Sequence, residues 1–407
     1  MVTRDVSRVR VPGPLAPYAD GFRAALNGLG YSPWTQIFHL QLMAHVSRWL
    51  EDRDLDAAGL TDAGIAGFLR DRRDSGHARF RGAQGLAPLL GFLRDAGVTP
   101  VPLAAAPDGE AGRLAAEFAG YLTGERGLSA QTAACYSAFA QRFLSSLPGG
   151  QDHGAVLAGL AAADVQAFVI AESGRRGTGS LKNAVTAVRA LLRFLHLRGR
   201  IPAPLDGAVP AAAGWHRPPL TRPLRPGDVA AVLASCDCGT HAGRRDYAIL
   251  MLLARLGLRA GEVAAVRAGD VDWRAGEILV RGKGGRHERL PLPADVGEAI
   301  AGYCQHARPR DAASGMLLLH ARAPYGRLTP SAVGYVVVRA CRRAGLEPAS
   351  AHQLRHAAAT SMRRAGAPLA EISQVLRHRH IATTARYGTI DPDELAAVTA
   401  PWPEAGS

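Results

Sequence analysis

The sequence predicts a mainly α-helical chain with a small antiparallel β-sheet in its C-terminal domain. Apolar residues recur at three- and four-residue spacing along most of the 407 residues, as amphipathic helices require. Only in one stretch does the period switch to two: Glu277-Ile278-Leu279-Val280 and Arg289-Leu290-Pro291-Leu292 read as strands around the turn Gly282-Lys283-Gly284-Gly285. The length fits two or three domains.

Residues 1–104 form a helical N-terminal domain. Ser32-Pro33 is a helix start, since Ser can cap and Pro is tolerated in the first turn. A helix from Trp34 to Leu50 follows, with Ile37, Leu40, Met43 and Val46 or Trp49 on one stripe. Thr61 or Asp62 caps a helix through Ile65, Phe68 and Leu69, and Leu86–Leu93 makes another, closed by Gly97 and Pro100. Arg70, Arg72, Arg73, Arg79 and Arg81 form a basic stretch between them that suits either a solvated face or phosphate contact.

Residues 109–204 repeat this plan. Leu128 to Thr132 aligns with Tyr31 to Thr35 at an offset of 97, Phe168 with Phe68 at 100, and Phe194, Gly199 and Pro202 with Phe92, Gly97 and Pro100 at 102. A duplicated helical domain with small loop insertions would give such a drift. The loop Gly174 to Ser180 leads into a helix carrying Lys182 and Asn183. Arg175, Arg176, Thr178, Ser180, Lys182 and Asn183 are candidate phosphate contacts; the alternative is a solvated loop with ordinary caps. Residues 205–223, rich in Pro and Ala, read as a linker.

Residues 224–400 form the third domain. Asp228–Ser235 and Tyr247–Leu256 read as helices, and Arg259 stands at the mouth of a helix from Ala260 to Val266. The strands follow, with Lys283 at their hairpin tip, then helices near Asp295–His306 and Ser331–Ala344.

Forty-eight basic residues against 35 acidic ones give a net charge of +13 and a pI near 10.2, which favours a polyanionic partner, nucleic acid above all. Lys occurs only at Lys182 and Lys283, so 46 of the 48 cations are Arg. Lys is retained where a side chain must give up a proton, which Arg cannot do. Five scattered cysteines argue against a disulfide framework and for a reducing cytoplasm. Cys236, Cys238 and His241 lack a second ligand pair at zinc spacing, so no metal is expected. The N-terminus has no apolar signal region, and the longest strongly apolar run, Tyr247–Ala254, is too short to span a bilayer.

The densest cluster of reactive side chains lies between Ala351 and Gly388: His352, Arg355, His356, His378, His380, Arg386 and Tyr387. His352 and Arg355, three apart, fall on one arc of a helix, while Leu354, Ala358 and Met362 recur at buried spacing. Gly366 and Pro368 end that helix, and a second, Leu369–Leu376, delivers His378. Arginines to clamp phosphate oxygens, histidines to move protons and a phenol to attack phosphorus are what metal-free phosphoryl transfer needs. His352 and His356 are spaced to bind zinc, but no Glu follows His352, so the metalloprotease pattern is absent.

The pattern H-x-x-R, then L-x-H, then Tyr nine residues later resembles the C-terminal signature of the tyrosine recombinases, the phage-integrase family. Arg259 and Glu262 in LGLRAGEVAAV, and Lys283 on its hairpin, complete the family order Arg259, Lys283, His352, Arg355, His378, Tyr387. The resemblance implies a tyrosine-recombinase catalytic domain over 224–400. It also implies a SAM-like core-binding domain over 109–204, of which 1–104 looks like a duplicate. It further implies double-stranded DNA as partner, a homo-tetramer on paired sites acting alone or with related recombinases, and no cofactor. Tyr387 would attack the scissile phosphate and become joined to the 3′ phosphate. Arg259 and Arg355 would hold the non-bridging oxygens, His352 accept the tyrosine proton, His378 bond the phosphate and Lys283 protonate the leaving 5′ oxygen. Glu262 is assigned to structure. A catalytically inactive DNA-binding accessory protein of the same fold and a type IB-like topoisomerase are the alternatives. The family usually has Gly before the late histidine, where this chain has Arg377. If that position needs positive φ, Arg carries a strain there.

Overall fold

A computed structural model of the chain describes residues 9–77, 79–80, 82–100, 109–147, 153–175, 178–211, 224–282, 285–309 and 315–377. These residues form two compact units: one joins those up to Pro100 with those after Thr221, and the other comprises those between.

The N-terminal region folds as α1 (Ala19–Gly28), α2 (Pro33–Glu51), α3 (Asp62–Asp74) and α4 (Ala83–Asp95). Ser32 and Thr61 cap α2 and α3, their hydroxyls accepting from the Thr35 and Gly64 amides. Ile37, Leu40, Met43, Val46 and Leu50 of α2 are buried, so the apolar stripe selects Val46 over Trp49. Trp49 sits at the edge, and its indole N–H donates to Asp71 at 2.8 Å. After α1 the chain turns through Gly30 in a left-handed conformation, where a Cβ would lie 2.4 Å from Cε2 of Tyr325 in the C-terminal region.

The second unit comprises α5 (Gly109–Gly124), α6 (Ala130–Ser146), α7 (His153–Ala158), α8 (Ala162–Arg175) and α9 (Thr178–Leu197) around Phe118, Phe143, Phe168, Phe194 and Leu191. Ser129 caps α6 as Ser32 caps α2: each hydroxyl lies against the Thr hydroxyl three residues on, at 2.9 and 3.0 Å. Two sequence expectations need correction here. The loop expected over 174–180 is largely helical, because α8 runs to Arg175 and α9 opens at Thr178. The packed unit also extends past residue 204. Leu205 and Val209 pack on its core, Arg189 donates to the Val209 carbonyl, and Arg193 pairs with Asp206. Pro- and Ala-rich composition conceals this docking, which rests on two apolar side chains.

The C-terminal region contains α10 (Pro226–Ala234), α11 (His241–Ala254), α12 (Ala260–Ala265), strands β1 (Val271–Asp272), β2 (Glu277–Arg281) and β3 (His287–Pro291), then α13 (Ala294–His306), α14 (Pro330–Arg343), α15 (Ala351–Arg364) and α16 (Leu369–Val375). The sheet is antiparallel in the order β1-β2-β3, with Ile278 opposite Leu290 and Arg281 opposite His287. Ile278 and Val280 alternate into the core beside Ile249, Leu253, Ile300, Val337 and Leu354. α11 is buried along most of its length, and its second half, residues 248–254, is apolar all round. Its one buried carboxylate, Asp246, takes Arg245 of the same helix at 2.5 Å and Arg339 of α14 at 2.9 Å. Among the described residues no helix is long and apolar enough to cross a membrane.

Truncating Asp246 to Ala would leave the buried Arg245 guanidinium without its counter-charge. Removing one partner of a buried pair costs about 3–5 kcal/mol. Asp246→Ala is therefore expected to lower the urea unfolding midpoint of the full chain, with the slope of the transition unchanged.

Candidate active site

Arg259 is the residue before the first turn of α12, and Glu262 lies in that turn. The Glu262 carboxylate reaches back to accept the Arg259 backbone N–H at 2.8 Å and its guanidinium at 2.7 Å. An acidic residue at this position satisfies an orphan amide and complements the helix dipole. The Glu262 side chain is only 4 % exposed, whereas Arg259 remains 45 % exposed on the open side.

Arg355 approaches the same carboxylate from α15. Among the described residues it is one of the largest fully buried side chains. Its two terminal nitrogens donate to the carbonyls of Gly257 and Leu376, and Nη1 lies 4.0 Å from Glu262. These bonds tie the segment before α12 to the end of α16. Gly257 makes the approach possible: its φ is +58°, and a Cβ there would lie 2.6 Å from Cδ2 of Leu376. A third guanidinium, Arg377, adopts φ +55° and turns inward to Glu262 Oε2 at 2.7 Å. Arg259 Nη2 lies 3.5 Å from the Arg377 carbonyl. Three arginines from distant parts of the chain thus converge on one buried carboxylate.

Burial pushes the Glu262 carboxyl up. The charge of Arg377 and the bonds and charge of Arg259 outweigh that, so its pKa lies below the ordinary glutamate value. The hairpin also converges here, since a Cβ on Gly282 would lie 4.0 Å from Glu262 Oε1. Gly282 directly precedes Lys283.

His352 is exposed on the first turn of α15, and its Nε2 lies 3.0 Å from Nε2 of His356, with the rings edge to face. In a hydrogen bond between them, one imidazole donates and the other accepts. His352 and Arg355 share an arc, yet they differ in depth: His352 faces outward and Arg355 inward. Lys283, His378 and Tyr387 lie outside the described residues, as do Arg176 and the side chain of Thr178. In the second unit Arg175, Lys182 and Asn183 are exposed and Ser180 is half-buried. Arg175 lies 3.9 Å from Glu172.

Sequence reasoning missed the inward course of Arg377 and the contact of His356 with His352. The i, i+4 spacing could have given the second. For the first, the available signal was a charged residue at a position suspected of positive φ.

Glu262→Gln is expected to cost about 3–5 kcal/mol at pH 6, as loss of a buried charge partner does. Because the folded carboxyl lies below its unfolded value of about 4.3, its contribution is full above that value. It is lost as pH falls through the lower folded value. The gap between wild-type and Glu262→Gln urea midpoints should therefore narrow below about pH 4.3. A gap that stays constant down to pH 2 would contradict the cluster.

Comparison with known proteins gives a consistent result. Residues 223–394 match the phage integrase family. The chain is 38 % identical to the putative integrase/recombinase y4rA of Sinorhizobium fredii (strain NBRC 101917 / NGR234), over 99 % of this chain and 98 % of that protein. It is 32 % identical to the tyrosine recombinase XerC of Methylobacterium nodulans, over 72 % of this chain and 93 % of the relative. Among solved structures, a lambda integrase (75–356) dimer bound to a COC′ core site shares the fold. Its TM-score is 0.53 at 16 % identity, covering 68 % of this chain and 94 % of that one. The chain belongs to the phage integrase family, the tyrosine recombinases that break and rejoin DNA.

Proposed function

We propose that this chain is a site-specific recombinase that cleaves and rejoins DNA through a 3′-phosphotyrosyl intermediate, with Tyr387 as nucleophile and no need of metal or ATP. The observation that carries the proposal is the convergence of Arg259, Arg355 and Arg377 on Glu262. Three positive charges against one negative leave a net cationic recess, open at Arg259, that suits a phosphodiester anion.

The chemistry follows from that charge. A phosphodiester repels nucleophiles until its negative oxygens are matched. Arg259, with donors beyond those engaged by Glu262 and Arg377, bonds a non-bridging oxygen, and the buried charge of Arg355 adds to the field. The Tyr387 oxygen attacks phosphorus as the bond to O5′ breaks. The phenol proton passes to His352, whose Nε2 lies against His356. Lys283 protonates the departing 5′ oxygen, and His378 bonds the phosphate. Rejoining runs the same step backwards with a 5′ hydroxyl as nucleophile, so the phosphotyrosine itself conserves the bond.

The region of residues 109–204 is proposed as the core-binding domain, with Arg175, Arg176, Thr178, Ser180, Lys182 and Asn183 against phosphates. Region 1–104 is proposed as its duplicate; the like-built Ser32 and Ser129 caps support that reading. Assembly as a tetramer on paired sites is supported by fold likeness to a lambda integrase tetramer bound to a Holliday junction.

Two measurements test this. Duplexes selected by the full-length chain from a random-sequence pool, then nicked near the cleavage point, should trap a covalent adduct on a denaturing gel. Tyr387→Phe should abolish it while retaining DNA affinity. Binding without any adduct would favour the inactive accessory protein, and relaxation of supercoils without strand exchange would favour the topoisomerase reading. Affinity should also fall about 10³–10⁵-fold between 50 and 200 mM salt if six to ten phosphates are contacted; a flat response would rule out the proposed electrostatic footprint.

A further inference from the structure

Arg377 carries two penalties. Its backbone is in the left-handed region, which residues with a Cβ seldom occupy, and its Nε–H is buried without a partner. Strain of this kind persists where the surroundings enforce it, and it clusters at functional positions. The surroundings here are specific. Arg377 Nη2 donates to Glu262 Oε2 at 2.7 Å, and Nη1 donates to the Val375 carbonyl at 3.0 Å. The Arg377 carbonyl lies 3.5 Å from Nη2 of Arg259. The residue therefore meets Arg259 twice, once through the shared carboxylate and once through its own backbone.

The geometry points to Arg377 as a positioning residue for strand cleavage: its guanidinium holds Glu262, and Glu262 holds the donors of Arg259 toward the scissile phosphate. This rests on the recombinase reading above. Glu262 offers two oxygens. Oε1 takes the Arg259 guanidinium, and Oε2 takes the Arg259 amide and Arg377. Without Arg377, Oε2 loses its charged donor at 2.7 Å and keeps the Arg259 amide, so the carboxylate is held less firmly. Arg259 would then lose its fixed direction, although its own charge is untouched. A glycine at 377 would accept the backbone conformation with less strain, so this side chain contributes something that backbone geometry alone does not require.

Two full-length variants separate positioning from folding. Arg377→Gly and Arg377→Asn both suit positive φ. The probe is the nicked duplex selected by the wild-type chain, and the readouts are the single-turnover rate of adduct formation, affinity for the same duplex, and melting temperature. Both variants should stay folded, and their loss of affinity should be far smaller than their loss of rate. Their adduct rate should fall on the order of 10²-fold, the size of effect that misplacement of a catalytic group by about 1 Å produces. Arg377→Lys, which keeps a cation, should be faster than Arg377→Gly. Because both residues act on one arm, Glu262→Gln combined with Arg377→Gly should be no slower than Glu262→Gln alone. Wild-type adduct rates in both variants would overturn the inference, as would a rate loss matched by an equal loss of affinity, or losses that multiply in the double variant. Failure of the wild-type chain to form any adduct would overturn the recombinase reading and this inference with it.

Discussion

One buried carboxylate governs the architecture of the site. Arg259, Arg355 and Arg377 come from the mouth of α12, the first half of α15 and the second residue after α16. Like charges about 4 Å apart repel by roughly 4 kcal/mol each at the effective dielectric near a protein surface. Three guanidinium groups could not be packed together without the negative charge of Glu262 among them. With it, they form a cationic recess in which a single carboxylate is outnumbered. That imbalance leaves the recess net positive.

Helix ends and carbonyl oxygens complete the recess. Glu262 serves both as the acidic residue of a helix first turn and as the hub of the ion cluster, so local and tertiary demands agree on one residue. Arg355 spends donors on two backbone carbonyls, which makes it a brace between segments as much as a charge. The brace depends on Gly257, since the side chain of Leu376 occupies the volume a Cβ would need. The domain beneath is stiffened in a similar way, with Asp246 binding α11 to α14 across the core.

Much of this was legible in the sequence. The period-two stretch located β2 and β3, Gly366 and Pro368 located the end of α15, and Arg259 with Glu262 located the mouth of α12. Other features lacked a local signature. β1 spans two residues, too few to show any period. Docking of Leu205 and Val209 is a tertiary event in a stretch whose composition reads as linker. The sequence identified residue 377 as anomalous, yet the partner of its guanidinium lies 115 residues earlier, and no spacing rule connects them. The depth of Arg355 was hidden for a related reason: i, i+3 spacing fixes an arc on the helix, and the packing of α16 decides which part of that arc is covered.

The turn at Gly30 has a consequence for how such chains can be recombined by engineers. The ring of Tyr325 rests where a side chain on residue 30 would project. A chimera that grafts a foreign N-terminal helical bundle onto this catalytic portion must therefore present a bare backbone at that spot, or exchange the tyrosine for a smaller residue in the same step.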